Sequence, residues 1–164
     1  MERILAALGL PEEDAKITVD VLIEADLRGI DSHGIGRLSI YVERLLSGKQ
    51  NPHAPLTVVS EAPGTALLDG GAGMGQVISV RAMALAIKKA KETGIAGVAV
   101  RNSSHFGFAG YFPLMAASEG MIGMAFTNAR PSICPTFGTE PMLGTNPIAF
   151  AAPTDMDFPF LFDA

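Results

Sequence analysis

Apolar positions along the chain change period several times, and each change marks an element. Helical spacing comes first. Residues 2–8 read as a short helix ended by Gly9, and beyond Pro11 the apolar positions Ile17, Val21, Leu22 and Ala25 keep a helical period up to Gly29. Pro11 stands where a first helical residue belongs, with Glu12, Glu13 and Asp14 near the positive end of the helix dipole. A further amphipathic helix is expected through Leu38, Tyr41, Val42 and Leu45 to Gly48. After an extended segment at 51–55, in which His53 is expected at the surface, residues 57–59 and 65–68 read as strands paired through a turn at 62–64. A long helix over 76–93 follows, with Val77, Val80, Ala84 and Ile87 inward, Lys88, Lys89 and Lys91 at its negative end, and Gly94 as its stop.

The next stretch, 97–128, carries the first candidate site. Residues 98–100 read as a buried strand ending on Asn102, Ser103, Ser104 and His105; a helix is expected over 111–119, and a second buried strand over 122–126 ends on Thr127 and Asn128. Strand, polar loop, helix, strand is the pattern of a crossover unit in an α/β sheet, where ligands sit at the strand ends. The loop with His105 is therefore a candidate site. Beyond Arg130, which reads more readily as solvated than as an anion contact, a loop rich in proline and glycine leads to strands at 148–152 and 158–162.

A second candidate lies at 30–37, Ile-Asp-Ser-His-Gly-Ile-Gly-Arg. Asp31 or Ser32 can cap the following helix, and His33 and Arg37, four apart, would share one face of its first turn. Arginine grips a carboxylate through two parallel N–H bonds, and histidine exchanges a proton near neutral pH. Spacing alone favours the plainer alternative, a capped helix with a solvated arginine and an incidental histidine. The glycines at 70, 71, 73 and 75 do not complete a dinucleotide fingerprint: Gly71 and Gly73 would need a third glycine where Gln76 stands, and Lys91, Glu92 and Thr93 end a helix where the ribose-binding acid of a strand would be needed. They read instead as a tight turn or a close backbone approach.

The 164 residues suffice for one domain of ordinary size. Hydrophobic residues make up 48% and charged residues 18%, so much of the chain has to be buried, internally or against a partner. A net charge of -5 argues against nucleic-acid binding. No apolar run is long enough for a membrane span, and no basic-then-apolar leader is present, so neither a membrane partner nor a signal peptide is expected. Cys134 is the single cysteine, which fits a reducing, cytoplasmic setting, and no metal site is expected.

The run DSHGIGRL with its YVERL helix, the GQ that opens the long helix, NSSHFG and GTNPIAF together resemble the malate/L-lactate dehydrogenase type 2 family, in order and across essentially the whole chain. This family of NAD(P)-dependent oxidoreductases includes malate, sulfolactate and ureidoglycolate dehydrogenases, a diketogulonate reductase and a cyclic imino-acid reductase. The resemblance implies an α/β, non-Rossmann fold: a helical segment at 1–56 with the substrate motif, then at 57–164 the first part of a large mixed-sheet domain that binds NAD or NADP. It also implies hydride transfer to and from a small 2-keto or 2-hydroxy acid such as malate or lactate, in a homodimer whose active sites draw on both subunits. Carried over by position, Ser32, His33 and Arg37 match the substrate motif, with Arg37 on the carboxylate. Proton transfer belongs to His33 in some members and to His105 in others. The company of Ser32 and Arg37 favours His33, and His105 would then orient substrate or nicotinamide. Thr127, Asn128 and Ala129, with Asp163 and Ala164, match places where the family contacts the cofactor.

Family members are about twice as long, so the chain reads as truncated: a split enzyme, a fragment, or a degenerate remnant. The first two call for a companion chain that covers the missing strands, which the apolar content favours. Two rival functions follow from the same residues. One is a catalytically inactive half-domain serving as a structural or regulatory partner through its sheet edge. The other is a small-anion binding module using Arg37 and the 102–105 loop.

Overall fold

The structure is a computed structural model that describes residues 1–164. It forms two compact units, Met1–Phe108 and Ala109–Ala164; the boundary read from the sequence at 56/57 falls within the first unit, just before its first strand.

In the first unit, α1 (Glu2–Ala7), α2 (Glu12–Leu27) and α3 (Leu38–Leu46) enclose a core containing Leu5, Val19, Leu22, Tyr41 and Leu45. Helix α2 buries Ala15, Val19, Leu22 and Ala25, the three- and four-residue spacing of one helical face. Pro11 stands just before this helix, in extended backbone, and leaves the acidic first turn at 12–14 to meet the helix dipole. A three-stranded sheet follows in the order β1 (Thr57–Ala62), β2 (Thr65–Asp69), β3 (Gly97–Arg101). Strands β1 and β2 form the expected antiparallel hairpin, with a bulge between Val58 and Ser60. Strand β3 is parallel to β2, with Thr65 opposite Gly97 and Asp69 opposite Arg101.

Helix α4 (Gly75–Thr93) connects β2 to β3 and packs on both. The right place for a crossover is therefore β2–α4–β3. Its buried positions are 75–78, Ala82 and Lys89, while Ala84, expected inward, is exposed. Lys89 is not a solvated charge at the negative end of the helix. It turns inward, donating to the Ala62 carbonyl at 2.8 Å and pairing with Glu61 at 2.7 Å, which supplies the partners a buried ammonium needs.

The second unit holds α5 (Tyr111–Ser118) and an antiparallel sheet in the order β4 (Gly123–Phe126), β5 (Ile148–Ala152), β6 (Phe160–Asp163). The crossover expected over 97–128 is thus not formed, because β3 and β4 belong to different sheets. Both β4 and β6 pair with β5, and α5 packs on β4 and β5 over the small residues Gly123, Ala149 and Ala151. The alternate positions Met124, Phe126, Ile148, Phe160 and Phe162 are exposed, so this sheet has one covered and one open apolar face. No helix in the chain is long and apolar enough to cross a membrane.

Candidate active site

Three backbone features of the first unit build the site: the break between α2 and α3, the glycine turn before α4, and the loop after β3. Residues Asp31–His33 and Ile35–Arg37 form two short 3-10 turns on either side of Gly34, and α3 starts only at Leu38. The single capped helix expected here, with His33 and Arg37 on one face of its first turn, is therefore corrected. Neither Asp31 nor Ser32 caps; Asp26, near the end of α2, does so across the gap, its Oδ2 accepting the Ile35 N–H at 2.9 Å. Gly34 makes this possible, since a Cβ there would overlap the Asp26 carboxylate. A carboxylate at the start of a helical turn also meets the positive end of its dipole.

The motif side chains bind one another. Ser32 Oγ lies 2.9 Å from His33 Nδ1, and the Ser32 carbonyl accepts the Arg37 Nε–H at 2.5 Å. Arg37 is tied through Nε alone, and its Nη edge has no acidic partner in the chain. That edge is the one suited to a bidentate carboxylate.

His105 comes to the same place from the loop after β3. Its backbone is held by the start of α4, where Gly75 lets the helix approach so closely that a Cβ would overlap the Ser104 carbonyl oxygen and lie 2.5 Å from that of His105. Ser104 Oγ fastens the contact: it accepts from Gly75 N–H at 3.0 Å and from Gln50 Nε2 at 2.7 Å, and donates to the Gly73 carbonyl at 2.7 Å. The glycine cluster thus serves a close backbone approach. The His105 ring stacks on that of His33, with centroids 5.4 Å apart and planes at 17°.

Beneath the stacked rings lies a tyrosine that the sequence reading placed only on an apolar helix face. Tyr41 is fully buried, and its hydroxyl is 2.7 Å from His105 Nδ1. Burial pushes its pKa up to about 12, against the opposing effects of the Gln76 amide, Arg37 and Arg44. Gln76 is fully buried too and lies near the phenol, but neither of its amide atoms forms a well-made hydrogen bond. Burial, and then the charges of His33, Arg37 and Arg44, lower His105 to about 4, so its ring is neutral at pH 7. Tyr41 had a signal in the sequence: it follows His33 and Arg37 at steps of four. Asp26 had none, because its role depends on a contact with a residue nine positions on.

In the second unit the five residues matched to cofactor contacts come to one end of the antiparallel sheet. Thr127, Asn128 and Ala129 follow β4, and Asp163 and Ala164 end β6. Between them, the Ile148 N–H donates to the Ala164 carbonyl at 2.8 Å and the Ala164 N–H to that of Ile148 at 3.1 Å. Asn146 Oδ1 accepts the Ala129 N–H at 2.9 Å, while the Asn128 side chain is exposed. Asp163 also has a structural task, its carboxylate accepting the Gly110 N–H at 2.6 Å where α5 begins. His53 and Arg130 are exposed, and no cluster of three or more His, Cys, Asp or Glu suited to a metal ion is present.

Comparison with known proteins gives consistent answers. A malate dehydrogenase of Pyrococcus horikoshii is 58% identical over 161 residues, spanning 98% of this chain but 44% of that protein. The solved structure of malate dehydrogenase from Pyrococcus horikoshii OT3 superposes with a TM-score of 0.96 at 58% identity, covering 99% of this chain and 46% of that one. The sulfolactate dehydrogenase of Methanocaldococcus jannaschii does so with a TM-score of 0.95 at 48% identity, covering 99% and 47%. The chain thus spans less than half the length of these relatives. Residues 1–164 match the family described as malate/L-lactate dehydrogenase from end to end, and to that family this chain belongs.

Proposed function

We propose that the chain provides the substrate site, and part of the cofactor site, of an NAD(P)-dependent dehydrogenase that interconverts a small 2-keto acid and its 2-hydroxy acid. The observation that carries this reading is the juxtaposition, within one unit, of two stacked imidazoles and an arginine whose Nη edge has no acidic partner. Arg37 grips the substrate carboxylate. His33, held by Ser32 on the same side, exchanges the hydroxyl proton, for which a pKa near the working pH serves best. His105, neutral at pH 7, orients the substrate carbonyl or the nicotinamide instead of supplying a proton.

The residues at the strand ends of the second unit suit a nicotinamide nucleotide: Thr127 and Asn128 offer hydroxyl and amide groups, and Ala129 keeps the approach small. Asp163 and Ala164 complete that rim. When bound, the cofactor supplies the hydride exchanged at the substrate's C2. NAD and NADP both fit this assignment. A second copy or a companion chain belongs to the same reading.

The relatives are named for malate and sulfolactate, 2-hydroxy acids with a second acidic group, so oxaloacetate is the first substrate to test and pyruvate the second. The test follows NADH and NADPH oxidation with each, alongside light scattering for the assembly. His33→Ala should abolish turnover with cofactor affinity little changed, and Arg37→Ala should raise KM for the keto acid. Unchanged kinetics in both variants would remove this site from the reaction.

A further inference from the structure

We propose that Tyr41 is a positioning residue that fixes His105 as the tautomer protonated on Nε2, so that His105 offers the substrate site a hydrogen-bond donor and not a base. The inference rests on the substrate site proposed above and assigns its two histidines different tasks.

The geometry leaves little choice of proton placement. The Gly107 N–H points at His105 Nδ1 from 3.4 Å, and a backbone amide can only donate. Tyr41 OH approaches the same nitrogen at 2.7 Å, which makes it the stronger partner. Two donors directed at one nitrogen need a lone pair there, so Nδ1 carries no proton. A neutral imidazole with Nδ1 bare carries its proton on Nε2. The ring also cannot rotate freely, because it stacks on His33 and hangs from a backbone pressed against Gly75.

The charges around the ring act in the same direction. The titratable groups facing His105 are His33, Arg37, Arg44 and Tyr41, and none is an acid that would favour an imidazolium. Tyr41 keeps its proton across the working range, so its hydroxyl remains a donor. His33 differs: its Nδ1 faces a serine hydroxyl, which can donate or accept and so by itself imposes neither tautomer. One imidazole is locked and the other is adaptable, and the adaptable one is fitted to exchange a proton.

Nitrogen-15 NMR of the imidazole rings tests this on the whole protein without requiring turnover. The unaltered protein should show His105 with a bare Nδ1 and a protonated Nε2, unchanged between pH 6 and 8. Tyr41→Phe keeps the ring's shape and removes only the hydroxyl. It should move both nitrogens toward tautomer-averaged shifts and lower kcat with oxaloacetate about tenfold, the effect of one lost hydrogen bond, while KM changes less than about twofold. A protonated Nδ1 in the unaltered protein, or identical His105 spectra in the variant, would overturn the proposal. Absence of turnover with NADH and NADPH on both keto acids would count against the dehydrogenase reading, and the spectra would still decide the role of Tyr41.

Discussion

Replacing Gly75 with alanine probes the contact on which the placement of His105 depends. The new Cβ would overlap the Ser104 carbonyl oxygen and lie 2.5 Å from the His105 carbonyl oxygen and 2.7 Å from its carbon. These are backbone atoms, so no rotamer change relieves the overlap; helix and loop have to part. Overpacking of this kind costs about 1–3 kcal/mol. Parting also weakens the three hydrogen bonds that meet at Ser104 Oγ, each contributing about 1 kcal/mol. Alanine's better helix propensity returns at most about 1 kcal/mol. The net expectation is a loss of about 2–4 kcal/mol, a large part of a typical reserve of about 5–15 kcal/mol. Urea denaturation measures it. Gly97→Ala is the control, because a Cβ there meets nothing within 4 Å, and it should stay within about 0.5 kcal/mol of the parent. If Gly75→Ala were as stable as that control, the close approach of helix and loop would be refuted.

Two further expectations concern the same site. Asp26→Ala removes the acceptor of the Ile35 N–H and should cost about 1–2 kcal/mol in thermal unfolding while raising KM for oxaloacetate; Asp26→Asn keeps an oxygen in place and should recover most of both, and an alanine variant matching the parent would dismiss the cap. For His105 the folded pKa of about 4 lies below the ordinary 6.5, so between these values the unfolded chain binds more protons than the folded one. Its contribution to stability is therefore complete above pH 6.5 and lost as pH falls to about 4. Discounted for the partly exposed ring, the loss amounts to about 1–2 kcal/mol. His105→Gln should flatten that stretch of the stability profile, and an equally steep profile would assign the slope to other groups.

What could be read in the sequence divides by the range of the interaction responsible. Periodicity and turn residues depend on near neighbours, and so the β1–β2 hairpin, the long α4 with its Gly94 stop and the strand at 148–152 were legible. The crossover was misplaced because strand, helix, strand describes both β2–α4–β3 and β3–α5–β4, and only pairing partners distinguish them. No local pattern states that β4 has β5 for its neighbour. The same limit holds within the site. Ser32, His33, Arg37 and His105 stood out because their side chains carry recognisable chemistry, whatever their surroundings. Asp26, Tyr41 and Gly75 have ordinary local readings, a helix acid, a core aromatic and a turn glycine, and they matter only through what they touch: the Ile35 N–H, the His105 ring and the Ser104 backbone. The candidate site residues could thus be named from sequence, while their arrangement was set by contacts spanning nine to sixty-four positions of chain. Of the residues that matter through such contacts, Tyr41 and Gly75 act on His105 and not on His33, and under the proposed function that difference in surroundings gives proton exchange to His33, beside Ser32, and orientation of the substrate to His105.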